Sequence, residues 1–129
     1  MSIAITLTSE SRFPINRNLI RTVVEQMILQ NKLKGKVTVE IMVVGDRKMR
    51  WSNKTYRKLD ETTTVLSFSY SDPKSGVVFV EPPDDVLRLG SIVVSYPQAV
   101  KRAAEDTMLV DEKIGELVKH GMKNLLEMG

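Results

Sequence analysis

Hydrophobic and polar residues alternate with two different periods along this chain, and the switches between them mark its elements. Ile3-Ala4-Ile5-Thr6-Leu7-Thr8 alternates and predicts a strand. Past Pro14, the residues Leu19, Ile20, Val23, Val24, Met27 and Ile28 recur at three- and four-residue steps. That spacing predicts a helix opening at Asn16 or Asn18 and closing at Gly35. Val37 to Val44 begins by alternating and ends as the apolar run Ile41-Met42-Val43-Val44, the pattern of a central strand. Gly45 turns the chain, and Asp46 is placed to cap a helix running to about Leu59, with Met49, Asn53 and Tyr56 toward the core.

Thr64 to Tyr70 is rich in β-formers and predicts a third strand. Asp72-Pro73-Lys74-Ser75-Gly76 reads as a turn, Val77 to Val80 as a short returning strand, and Glu81-Pro82-Pro83-Asp84-Asp85 as an acidic loop. Ser91 to Ser95 is another strand. Ser95-Tyr96-Pro97-Gln98 has capping-box spacing and starts a helix to about Asp106. Asp111 is placed to cap the last helix, whose expected buried face is Ile114, Leu117, Val118, Gly121 and Leu125. The order β-α-β-α-β-β-β-α-α implies a single α/β (α+β) domain over 1–129, one mixed sheet packed by about four helices.

Composition narrows the class. The 129 residues are 42% hydrophobic, enough for one cored domain. There is no cysteine, which excludes disulfides and thiolate metal sites. No apolar run reaches the length of a membrane span, and the N-terminus lacks a signal peptide's pattern, so the expected location is the cytoplasm. The net charge of +3 conceals an asymmetry: residues 1–58 hold 12 Lys/Arg against 4 Asp/Glu, and residues 59–129 hold 7 against 12. Such a split points to a positive surface for a polyanion or an acidic partner.

Much of the positive charge lies in the second helix. Arg47, Lys48, Arg50, Lys54, Arg57 and Lys58 fall within twelve residues containing no acid. At helical spacing Arg47, Arg50, Trp51, Lys54 and Lys58 share a face, with Arg57 at its edge. A cationic stripe bearing an indole can neutralise phosphates and stack an unpaired base. The bland reading is a solvated helix face with Trp51 packed on a neighbour. A helix made only soluble would usually mix its signs.

The last helix carries the only histidine, His120, with Asn124 one turn later. Two histidines at that spacing commonly grip zinc, but asparagine is neutral and a poor ligand. A lone histidine on a terminal helix is more often simply exposed. Lys119 and Lys123 flank the pair and would repel a cation.

Three ordered blocks carry a resemblance. Asn53-Lys54-Thr55-Tyr56-Arg57, then Asp60, then Val65-Leu66-Ser67-Phe68, is similar to the YbeY family pattern L-N-x-x-Y-R-x-x-D-x-P-T-D-V-L-S-F. Leu89-Gly90-Ser91-Ile92-Val93-Val94-Ser95 resembles its L-G-D-I-x-I-S, and His120-Gly121-Met122-Lys123-Asn124-Leu125-Leu126 the start of its H-G-x-L-H-L-x-G-x-D-H. The resemblance spans nearly the whole chain. It implies a small α/β fold with a cleft holding zinc on three histidines, and single-stranded RNA as substrate. It also implies work on 16S ribosomal RNA and the small ribosomal subunit, with ribosome-associated proteins as further partners.

By position, Arg57 matches the family's cleft arginine and His120 its first metal histidine. Asn124 stands at the second position, and the third falls just after Gly129. The family's P-T-D is Thr62-Thr63-Thr64, the aspartate of L-G-D-I is Ser91, and the glycine before the third histidine is Glu127. No metal is therefore expected to be held as the family holds zinc.

Three functions follow as expectations. The first is an RNA-binding member with lost or impaired cleavage, using Arg47, Arg50, Trp51, Lys54, Arg57 and Lys58. The second is an active endoribonuclease with His120 as acid or base and Arg57 stabilising phosphate charge. The third is an interaction module for an acidic protein.

Overall fold

The computed structural model of the protein describes residues 2–33, 35–70 and 86–128. In chain order the elements are β1 (Ser2–Ser9), α1 (Arg17–Gln30), β2 (Lys36–Val44), α2 (Asp46–Arg57), β3 (Val65–Ser69), β4 (Val86–Ser95), α3 (Tyr96–Glu105) and α4 (Val110–Met128). The described strands form one mixed sheet in the order β1-β2-β4-β3. β1, β2 and β4 run parallel, and β3 is antiparallel to β4. The α+β expectation holds. The turn at 72–76, the strand at 77–80 and the acidic loop at 81–85 lie outside the described residues.

Side-chain alternation along β2 explains how the two faces differ. Val37, Val39, Ile41 and Val43 are buried against Ile20, Val24 and Ile28 of α1 and Ile114, Val118, Met122 and Leu125 of α4. The intervening Thr38, Glu40, Met42 and Val44 point to the other face and are only partly buried. There α2 covers the sheet through one fully buried apolar side chain, Met49, against Leu66 and Val93. One face is thus fully packed and the other only in part.

Two glycines permit this packing. Thr38 pairs with Arg88 but Glu40 with Ser91, so β4 carries one extra residue, a bulge at Leu89-Gly90. Gly90 has φ +142°, and a Cβ there would lie 2.0 Å from the Phe68 carbonyl oxygen. The bulge explains why the strand expected from Ser91 begins at Val86. Gly121 brings α4 onto β4, where an added Cβ would meet Ile92 Cγ2 at 2.8 Å.

Four local expectations change. α1 ends at Gln30, not Gly35, because Asn31 caps it, with Nδ2 donating to the Met27 carbonyl at 2.8 Å. At its other end the cap is Asn16, whose Oδ1 accepts from Leu19 N at 3.0 Å. Gly45, not Asp46, is the N-cap of α2. α4 begins at Val110, one residue before Asp111, and buries Met122 fully while Leu117 is half-buried.

Gly90→Ala is expected to cost about 3 kcal/mol or more, since strain adds to a clash with backbone that cannot rotate away. Gly121→Ala is expected to cost less, because a helix-propensity gain of about 1 kcal/mol offsets an overpacking cost of about 1–3 kcal/mol. Urea unfolding midpoints check both, and a Gly90→Ala protein as stable as the parent would contradict the bulge.

Candidate functional site

The position of α2 is set by polar contacts at its two ends. The Asp46 Oδ1 accepts from Thr62 Oγ1 at 2.9 Å and from Ser95 Oγ at 2.8 Å, and its Oδ2 accepts from Gln98 Nε2 at 3.3 Å. Ser95 in turn accepts from Gln98 N, as the capping-box spacing anticipates. At the other end the buried Asn53 donates through Nδ2 to the Glu61 carbonyl at 2.9 Å, and its own carbonyl accepts from Leu59 N. These bonds satisfy buried polar atoms and fold the 58–64 segment back along the helix.

That fold-back alters the cationic face. Asp60 reaches Arg50, with Oδ1 2.8 Å from Nε. The hydrogen bond from Arg50 holds the Asp60 carboxyl below its ordinary range, and Asp60 likewise raises Arg50. Glu61 and Asp60 line the same shallow depression as Arg47, Arg50, Trp51 and Lys54. The acid-free run of the sequence is therefore not an acid-free surface. Lys58 closes the helix in the left-handed region at φ 62°, with Nζ donating to the Thr55 carbonyl.

Arg47, Lys54 and Arg57 are exposed and, among the described residues, have no side-chain hydrogen bond or ion pair. Trp51 is 61% exposed, and its ring meets Tyr56 edge-on, centroids 6.3 Å apart. Helical spacing places Tyr56 toward the core with Met49 and Asn53. It is instead 39% exposed, packing by its ring edge against Phe68 at 5.1 Å.

Some of the N-terminal positive charge has a structural explanation. Arg17 donates to the Leu7 carbonyl at 3.0 Å and Arg21 to the Ile5 carbonyl at 3.2 Å, along β1. Arg12 pairs with Glu10 and lies over the Phe13 ring.

The second candidate cluster is separated from the first by β3. Successive strand residues point to opposite faces. Phe68 faces α2, whereas Ser67 faces α4, where Asn124 Nδ2 approaches its hydroxyl at 3.5 Å. His120 is exposed on α4, with no side-chain hydrogen bond among the described residues. The elements carrying Arg57 and His120 thus pack on opposite faces of β3, and no hydrogen bond or ion pair among the described residues joins the two side chains.

A zinc site needs three or four convergent nitrogen, sulfur or carboxylate ligands. Among the described residues no three of His, Cys, Asp or Glu come together to hold a metal. Asn124 turns its amide toward Ser67, and Glu116 is engaged by Lys113 at 2.9 Å. The described residues do not assemble the three-histidine ligand set that the family resemblance implies.

The family described as "Endoribonuclease YbeY" matches residues 6–127, and the chain belongs to that family. A curated relative, the endoribonuclease YbeY of Roseiflexus castenholzii (strain DSM 13941 / HLO8), is 34% identical over 112 residues, covering 87% of this chain and 69% of the relative. That of Bacillus cereus (strain B4264) is 28% identical over 109 residues, 84% of this chain and 70% of its own length. The solution structure of TM1509 from Thermotoga maritima matches with TM-score 0.59 at 20% identity, over 95% of this chain and 71% of that one. Its likeness extends to the fold. No helix among the described residues is long and apolar enough to cross a membrane.

The placement of α4 rests partly on Lys113, whose side chain is 4% exposed and pairs with Asp106 at 2.5 Å and Glu116 at 2.9 Å. The hydrogen bond from Lys113 lowers Asp106 below its ordinary 3.8, and the same bonds raise Lys113 above 10.5. A depressed carboxyl stabilises the fold above its unfolded value and loses that contribution as pH falls through the folded one. A raised ammonium does the reverse at the alkaline end. The stability difference between the parent and Lys113→Met is therefore expected to stay level from pH 6 to 9 and to shrink below pH 3.8. Denaturant unfolding at each pH checks this, and a difference unchanged down to pH 3 would contradict it.

Proposed function

We propose that this chain is an RNA-binding member of the YbeY family that works in ribosomal RNA maturation in the cytoplasm, with zinc-dependent cleavage lost. The observation that carries this reading is the outer face of α2. There the unpaired side chains of Arg47 and Lys54 flank an exposed indole, with the unpaired Arg57 at the edge of the face. Helix electrostatics favour cations in the last turn, which accounts for Lys54 and Arg57. Arg47 lies in the first turn, where the helix dipole disfavours it, so a partner of opposite charge explains it better than helix stability does. Arginine forks and lysine ammonium groups suit phosphates, and Trp51 suits an unpaired base. The partner is single-stranded RNA, 16S ribosomal RNA on the small subunit in particular. Arg50 and Lys58 contribute less, one being paired with Asp60 and the other bonded to its own helix end.

Cleavage by His120 with Arg57, without metal, has less support. An acid–base group must come within hydrogen-bond reach of the reacting proton while the arginine touches the same phosphate. The two residues belong to helices on opposite faces of β3.

Labelled single-stranded RNA is expected to bind with an affinity that falls with salt, the log–log slope being about −2 for three phosphate contacts on a single strand. Replacing Arg47, Lys54 and Arg57 together by alanine is expected to weaken binding at least tenfold and flatten that slope. The RNA is expected to stay intact with added zinc and with chelator. Chelator-sensitive cleavage that disappears in His120→Ala would overturn the loss of activity. Equal competition by poly-glutamate at matched charge would favour an acidic protein partner instead.

A further inference from the structure

The half-covered face of the sheet contains a cavity of about 700 Å³ beside α2, within the size range of small-molecule sites. Met42 and Val93 form its floor, and Trp51, Tyr56 and Phe68 line it as a set of edge-on rings. Into this apolar space β2, a central strand of the sheet, places Glu40. Glu40 Oε1 accepts from Ser91 Oγ at 3.3 Å, and the Ser91 hydroxyl lies 3.5 Å from that of Tyr70. Glu40 has no cationic partner, and its Oε2 no hydrogen bond, among the described residues. Lys48 lines the same cavity without pairing with it. Glu40 is only partly buried and its second oxygen is open to solvent within the cavity, where a ligand's donor can replace water. Nothing in the packing uses its second oxygen.

We propose that this cavity is a subsite for an unpaired guanine nucleotide, with Glu40 reading the base edge, the aromatic rings stacking the base and Lys48 meeting a phosphate. The inference rests on the RNA-binding reading and deepens it. Guanine alone among the common bases presents two adjacent donors, N1–H and N2–H, on its pairing edge, matching the two oxygens of a carboxylate. Adenine and cytosine place an acceptor beside their amino group, and uracil flanks its single donor with carbonyls, so each would set a lone pair against Glu40. An aromatic cavity with a carboxylate would also attract an arginine side chain. Glu10 also lines the cavity but is paired with Arg12, and Lys48 within the cavity with the cationic outer face of α2 beside it favours a group that carries its own phosphate.

Trp51 is the only tryptophan, so its fluorescence reports this cavity directly. Guanosine 5′-monophosphate is expected to quench it with at least tenfold higher affinity than the adenosine, cytidine or uridine monophosphates. Glu40→Gln should remove that preference, while Lys48→Ala should weaken all four nucleotides and leave the preference intact. Circular dichroism confirms that each variant is folded. Quenching without base preference, or a preference that survives Glu40→Gln, would overturn the proposal. So would quenching by argininamide but not by the guanine nucleotide. The two readings fail separately: salt-sensitive binding of oligouridylate with no guanine effect would sink this inference alone, and no binding of any RNA would sink both.

Discussion

The Asp46 carboxylate, shared among Thr62, Ser95 and Gln98, is the contact on which the functional half of the molecule depends. The face packed by α1 and α4 has a broad apolar interface and needs no such device. α2 has a single fully buried apolar side chain, Met49, too little surface by itself to fix the angle of a twelve-residue helix. A charged acceptor bonded to three elements supplies the missing direction, because hydrogen bonds are geometrically specific where hydrophobic contact is not. The cationic face, the exposed indole and two of the three rings lining the cavity, Trp51 and Tyr56, are carried by this helix.

The blocks shared with the family divide accordingly. Asn53 holds the segment after α2, Gly90 makes the bulge, Ser95 joins β4 to Asp46 and starts α3, and Gly121 lets α4 approach Ile92. Each has a structural duty that would keep it in place whether or not RNA is cleaved. Arg57 has none beyond a favourable position at a helix end. His120 remains on its helix, but its neighbour one turn on is an amide turned toward Ser67. The likeness in sequence therefore follows the scaffold at these positions.

Periodicity made most of the elements legible before any coordinates. The strands β1 and β2, the apolar face of α1, the Ser95 capping box and the cationic face of α2 all depend on residues within a few positions of one another. What local pattern missed was set at long range. Asp46 looked like a cap because no local rule points it to Thr62, Ser95 and Gln98. The bulge at Gly90 hid the first half of β4, because an extra residue breaks the alternation that identifies a strand. Arg50 looked free because Asp60 lies beyond the basic run and reaches it only when the chain folds back. Glu40 reads in the sequence as one acid in an ordinary strand, since its setting depends on what the other strands and α2 place around it.

The arginines that line β1 have an implication of a different kind. A strand paired on one side only presents a row of acceptors and donors that an extended segment of another molecule could adopt as its template. Here Arg17 and Arg21 already occupy the carbonyls of Leu7 and Ile5, two positions apart, with guanidinium groups too bulky and too polar for a foreign backbone to displace easily. Among the described residues, the chain's own first helix thus covers that margin of the sheet.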